Sequence, residues 1–287
     1  MSHGVADLPP GRVDEDTPEY ITTLSLDSVK PRTVRILQDR PGYARVEVEG
    51  RGLSTRAASD LERSVRRILN LEEDLSDFYA LVQDDPDLSW AASGAGRMLR
   101  TPTIFEAVVK TVCTTNCAWS ATVRMVTALV EHLGEPAAGG GAHAFPSPEA
   151  MAAASQTFYR EVVRAGYRAS YLRALAGQVA DGTTELEELG DPSNGISDDE
   201  VAVRLLALPG IGPYGTAHMM MLLGRHSRLI LDSWTRPKYS RVNGRKATDK
   251  QIERRFRRYG RYAGLAFWLY LTRDWVPEPS EGFAAIR

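Results

Sequence analysis

At 287 residues, with 43% hydrophobic and 25% charged side chains, the chain has the composition of a globular protein long enough for one large core or two modest ones. A formal net charge of −2 excludes a uniformly basic nucleic-acid binder, no apolar run approaches the roughly 20 residues that span a bilayer, and the N-terminus has no apolar signal core. Its two cysteines, Cys113 and Cys117, lie four apart on one expected helix; they are too few for a disulfide framework or a structural zinc or iron–sulfur site, and they point to a reducing, cytoplasmic setting.

Residues 1–18 mix Gly, Pro and acids without an apolar period and predict a disordered tail. From Ile21 to Val48, the pairs Leu24 and Leu26, then Val34 and Ile36, then Ala44, Val46 and Val48 alternate with polar residues, and Lys30-Pro31 and Arg40-Pro41-Gly42 supply turns. That is the pattern of a small antiparallel sheet with one wet face. Leu61, Val65, Ile68 and Leu69, then Leu71, Leu75 and Phe78, recur at helical spacing and predict helices over its dry face. Residues 19–88 are accordingly expected as an α/β N-terminal domain.

Past Pro86 the pattern turns helical almost throughout, so residues 89–287 are expected as a larger all-α domain and the fold class as α+β. Thr103-Ile104-Phe105-Glu106 has the form of a capping box opening a helix, and Trp119, Val123, Val126, Val130 and Leu133 outline another that stops at Gly134. After the loop GEPAAGGGAHAFPS, Ser147-Pro148 and Ser197 to Glu200 open two more, and AGLAFWLYLTRDW predicts a strongly apolar terminal helix. The helix from about Asp198 ends at Leu208-Pro209, Gly210-Ile211-Gly212 turns the chain, and Pro213 suits the first position of the next helix. Two glycines there let backbone approach an outside group, and the N–H groups and positive dipole end of the second helix suit a phosphate. Charge is unevenly spread: between Arg236 and Arg261 eleven bases face two acids, a local excess of nine.

The stretch LPGIGPYGTAHMMMLLGRHSRLILDSW resembles the signature of the helix–hairpin–helix DNA glycosylase superfamily, in which a Gly/Pro-rich hairpin precedes a catalytic aspartate; Asp232 lies 22 residues beyond Gly210. GRMLRTPTIFEAVVKTVCTTNCAWSATVRMVTALVEHLG and GYRASYLRALAGQVADG look like the helical core of its 8-oxoguanine and alkylpurine branches, and the likeness runs from about Glu19 to Trp275. The resemblance implies that Asp232 is the catalytic carboxylate, that Gly210, Ile211, Gly212, Tyr214, Gly215 and Thr216 hold the DNA backbone, and that Asn116 fills the gap or meets the orphaned base after the target flips out. Trp119, Tyr214 and Trp234 are candidates for an aromatic wall of the base pocket.

Departures from the family pattern narrow the chemistry that the resemblance implies. Relatives that nick the strand carry a lysine two residues after the second glycine, where this chain has Tyr214, and a phenol forms no imine. No cysteines follow Asp232, so no iron–sulfur cluster is expected and no metal ligands are assigned; the expected cofactor is none, with a monovalent cation at the hairpin the one ion entertained. Pro237, five residues after Asp232, is expected to disturb the helix that the family continues from this acid. The implied protein is a monomeric, monofunctional, cytoplasmic and nucleoid-associated enzyme. It would act on double-stranded DNA containing a damaged base, most naturally an alkylated purine. A non-catalytic lesion sensor, or a glycosylase for oxidised or deaminated bases, is the alternative.

Overall fold

The protein is described by a computed structural model over residues 4–276, other than 15, 16, 18, 41, 192 and 193. Residues 1–3 of the expected tail and 277–287 of the expected helical domain lie outside the described residues. Strands β1 (Arg12–Asp14), β2 (Glu19–Leu26), β3 (Val29–Gln38) and β4 (Ala44–Val48) form one antiparallel sheet in chain order. Tyr20 pairs with Ile36 and Thr22 with Val34, which sets the alternation read from the sequence onto one register. Helix α1 (Thr55–Ile68) starts where Ser54 Oγ accepts from Ala57 N at 3.3 Å. It lays Leu61, Val65 and Ile68 against Tyr20, Leu24, Val34 and Ile36, closing a small core.

Two expectations are corrected. Residues 4–14, assigned to a disordered tail, are ordered: a short 3-10 turn at Gly4–Asp7 buries Val5 and Leu8 in the helical core, and β1 then edges the sheet. The fully buried Lys110 holds that turn, donating from Nζ to Leu8 O at 2.8 Å while pairing with Glu106 Oε1 at 2.6 Å. Two apolar anchors three residues apart, set among glycines and prolines, are too brief a period to distinguish from coil. Nor do all the helices after the sheet cover it. Leu71 is exposed, whereas Leu75 and Phe78, with Val82 of α2 (Ser76–Val82), pack into a separate core built on the last helix.

The remaining helices are α3 (Ile104–Thr114), α4 (Trp119–Leu133), α5 (Pro148–Ala153), α6 (Arg168–Ala180), α7 (Asp198–Leu206), α8 (Pro213–Leu222), α9 (Thr235–Val242), α10 (Asp249–Phe256) and α11 (Ala263–Thr272). Thr103 caps α3 by accepting from Glu106 N at 3.1 Å, but the Glu106 side chain turns inward to Lys110. Burial pushes the Glu106 carboxyl up from its ordinary value, although the Lys110 charge opposes it. α3, α4, α6, α7 and α8 enclose one core, and α2 joins α9, α10 and α11 round a second. Every residue of α11 is buried, and the chain crosses it so closely that Gly264 N donates to His226 O at 2.7 Å. Nearby, His226 Nε2 meets Glu73 Oε1 at 2.6 Å; burial alone would raise Glu73, but His226, Arg100 and Arg97 hold it below the usual carboxylate range. No helix among the described residues is long and apolar enough to cross a membrane.

Candidate functional site

The turn between α7 and α8 is fixed by three local choices. Ser197 Oγ accepts from Glu200 N at 3.2 Å to start α7, Gly210 turns at a φ of +82°, and Pro213 opens α8 with Gly212 as its N-cap. Ile211 is buried and pins the turn to the core. The two glycines have different reasons. A Cβ on Gly210 would lie 3.1 Å from the Tyr171 side chain, in a backbone region that L-residues rarely adopt, so the fold itself demands glycine. Gly212 is extended, with a φ of −111°, and a Cβ there would meet nothing within 4 Å; the space in front of it is open. Gly212 O accepts from Thr216 N at 2.9 Å and from Thr216 Oγ1 at 3.0 Å, and Leu208 O accepts from Ile211 N at 3.1 Å. The carbonyls of Pro209, Gly210 and Ile211 accept no bond among the described residues. Gly215 is buried against Ile211 and Thr111.

Asp232 is half-buried just before α9. Its Oδ1 accepts from Trp234 N at 2.8 Å and Thr235 N at 2.6 Å, and its own N–H donates to Thr235 Oγ1 at 2.8 Å, a reciprocal cap that fixes the side chain. Oδ2 has no hydrogen bond among the described residues. Pro237 does not disturb the helix as expected: α9 begins at Thr235, so the proline falls in the first turn, where its missing N–H would have had no intrahelical acceptor. Tyr214 comes from α8 to the same place. Burial pushes its phenol up from the ordinary value and the adjacent Asp232 charge adds to that, while the Thr114 hydroxyl opposes both. The phenol is therefore neutral at physiological pH.

Two residues past this acid, Trp234 leads to an aromatic cluster. Trp234 packs against Trp268 at 5.7 Å and Trp275 at 5.5 Å between ring centroids. Trp268 and Trp275, together with Trp90 and Met98, line a cavity of about 480 Å³ whose opposite wall is the Gly4–Asp7 turn. Of the three aromatic candidates, Trp234 joins this cluster and Tyr214 sits on the Asp232 side. Trp119 does neither: its ring covers the outer side of Gly4, 3.2 Å from where a Cβ would stand. Trp90, from the turn at Ser89–Ser93, and Trp275, just past α11, were not among the candidates, and Trp268 reads as core from the apolar spacing of α11; the cavity exists only once α11 meets the first residues.

Asn116 follows α3 with a left-handed φ of +46° and is exposed. Its Nδ2 donates to Tyr167 Oη at 3.3 Å. The buried Arg168 donates from Nε to Thr115 Oγ1 at 3.2 Å and from its guanidinium to Thr115 O, so the loop is clamped from beneath. Tyr167 and Tyr171 are exposed, stand 6.1 Å apart edge to face, and Tyr171 lies under Gly210. Asn116, Tyr167, Tyr171 and the hairpin thus form one continuous surface. The signal for the tyrosines was their spacing of four on a helix, which gives one face.

Residues 109–261 match a protein family described as "HhH-GPD superfamily base excision DNA repair protein". No curated protein matches the chain. Among solved structures, the chain is similar to a 3-methyladenine DNA-glycosylase from Archaeoglobus fulgidus, with 20% identity, a TM-score of 0.71, and coverage of 95% of this chain and 92% of that one. It is also similar to an 8-oxoguanine glycosylase/lyase from Clostridium acetobutylicum in its apo-form, with 18% identity, a TM-score of 0.70, and coverage of 94% and 91%. The same enzyme in complex with double-stranded DNA containing cytosine opposite 8-oxoG gives 19% identity, a TM-score of 0.71, and coverage of 95% and 90%. At these identities the likeness is one of fold, and it takes in both the sheet and the helices.

Proposed function

Because the chain belongs to the HhH-GPD superfamily of base excision DNA repair proteins, we propose that it is a monofunctional DNA glycosylase that flips a damaged, alkylated purine out of duplex DNA and hydrolyses its N-glycosidic bond with Asp232. The observation that carries this reading is Asp232 itself, held at Oδ1 by two backbone N–H groups with Oδ2 left over, and followed two residues on by Trp234, which packs on two tryptophans that line a cavity. A base inside the stack is out of reach, so it has to be extruded, and damage lowers that cost. As the bond from C1′ to the base nitrogen breaks, positive charge grows on the sugar; a fixed carboxylate stabilises it and orients the attacking water. A purine alkylated on a ring nitrogen carries positive charge, leaves readily, and is attracted by the faces of tryptophans.

Roles follow for the other candidates. Gly212, with open space before it, and the amides of Tyr214 and Gly215 that open α8 would hold a phosphate, while Gly210 and Ile211 shape the turn and Thr216, bonded to Gly212 O, closes it. Asn116, backed by Tyr167, would occupy the gap left in the stack. We read residues up to about Asn70 as a sheet domain and the remainder as the helical catalytic domain, acting as a monomer on DNA in the cytoplasm.

The test is release of bases from labelled duplexes carrying alkylated purines, hypoxanthine, 8-oxoguanine or uracil, with strands read before and after alkali. Breaks that appear only after alkali are expected. Tight binding with no release from any duplex would leave a lesion sensor instead. Borohydride is expected to trap no covalent complex, since Tyr214 stands where a Schiff-base lysine would be; a stable adduct would identify another amine as the nucleophile. Gly212→Trp is expected to keep the fold, because nothing lies within 4 Å of the position its Cβ would take. It should weaken binding to damaged and undamaged duplex alike by roughly tenfold, the scale of a lost charge-assisted contact. A loss confined to damaged duplex would contradict a phosphate role.

A further inference from the structure

The basic stretch from Arg236 to Arg261 divides sharply once partners are counted. Arg236 is bonded to Asp249, Lys238 to Asp274, Arg255 to Asp87, Arg258 to Asp85 and Arg261 to Asp77. Those five cations hold α9, α10 and the turn before α11 to each other and to the α2 region. The side chains of Arg241, Arg245, Lys246, Lys250, Arg254 and Arg257 have no ion pair or hydrogen bond among the described residues.

Three of these six converge. Arg245 and Lys246, from the loop after α9, and Arg254, from α10, line a notch of about 540 Å³ that has no carboxylate in its lining. The notch is built on fixed parts. Its floor is Arg255, tied to Asn243 Oδ1 at 2.6 Å and to Asp87 Oδ2 at 2.9 Å, so that charge is already matched. Thr248 and Gln251 form a reciprocal cap that fixes the loop against α10, and Gln251 uses Oε1 for it, which leaves its N–H₂ group available as a donor. Three cations held together without a counter-charge repel one another, and a polyanion relieves that cost.

We propose that this notch is a second DNA-backbone site, taking one or two phosphodiester groups of the duplex whose base is presented to Asp232. The inference rests on the glycosylase reading above. The position follows from the fold: Asp232 caps the start of α9, which is about 12 Å long, and the notch is built on Tyr239 in the second half of that helix and on the loop beyond it. The hairpin and the notch then grip the same duplex at two separate points.

The test compares two variants of equal charge. One carries Arg245→Gln, Lys246→Gln and Arg254→Gln; the other carries Arg241→Gln, Lys250→Gln and Arg257→Gln, which removes three unpaired cations outside the notch. Affinity for damaged and undamaged duplex is measured against salt concentration. The notch variant is expected to give a logarithmic slope shallower by about 0.9 to 1.8, corresponding to one or two phosphates, equally on both duplexes. Its base release at saturating enzyme is expected to be unchanged, and the control variant should keep nearly the wild-type slope. An unchanged slope, the same change in both variants, or a defect on damaged duplex alone would overturn the proposal while leaving the glycosylase reading intact. Inorganic phosphate that raises the melting temperature of the wild type but not of the notch variant, with DNA slopes equal, would assign the notch to a free anion and overturn it likewise. Wild-type protein whose DNA binding shows no salt dependence would overturn both readings together.

Discussion

Asp232→Asn is expected to reduce base release by about a hundred- to a thousandfold or more, the range for removing a group aimed at developing charge, while duplex affinity stays within about twofold. The substitution is clean for a structural reason. Oδ1 of Asp232 takes hydrogen bonds from Trp234 N and Thr235 N, and an amide oxygen accepts both equally well; asparagine caps helices about as well as aspartate. What changes is the charge at Oδ2, which faces no donor among the described residues. Asp232→Ala would confound the experiment, because it removes the cap as well, at about 1 kcal/mol of helix stability. Single-turnover release with excess enzyme, alongside binding to the same duplex, is the measurement. Undiminished release by the asparagine variant would rule Asp232 out as the catalytic carboxylate.

The second large effect is on stability. Lys110→Met is expected to cost about 3–5 kcal/mol, because it strands the Glu106 carboxylate, 3% exposed, without its partner and removes the donor to Leu8 O. Glu106 already has a raised pKa through burial. A carboxyl raised in the folded state binds more protons there than in the unfolded chain, so stability falls as pH rises through the interval between the two values and is recovered below it. The deficit of Lys110→Met is therefore expected to be larger at pH 7.5 than at pH 5. Adding Glu106→Leu should restore most of the loss, since replacing both members of a buried pair is often close to neutral. Denaturant unfolding of the two single variants and the double variant measures this; a double variant no better than Lys110→Met would mean that the lysine acts through its bond to Leu8 O rather than through Glu106.

Much of the architecture was legible in the sequence because it is written in local rules. β2, β3 and β4 follow from alternation and turn residues, and Ser147, Ser197 and Thr103 cap helices where their spacing to the next apolar period said they would. The hairpin was legible because glycine and proline act on the backbone at their own positions. What escaped depends on partners distant in the chain. Lys110 reads as a solvated cation until Glu106 and Leu8 surround it, and Val5 and Leu8 have no period of their own. Pro237 looked disruptive because the helix start was set too early. The basic run looked like one charged face, and only the aspartates at positions 77, 85, 87, 249 and 274 divide it into bonded and unbonded cations. Trp119 was a candidate for the aromatic wall of the base pocket, whereas its ring lies against Gly4.

The tryptophan-lined cavity takes one wall from residues 4–7 and another from residues 268–276. A ribosome makes the first wall more than two hundred and fifty residues before the second. A chain that stalls, or is clipped ahead of α11, therefore lacks one wall of the cavity together with the helix on which α2, α9 and α10 pack. The cavity thus closes late in synthesis, when residues more than two hundred and fifty positions apart meet.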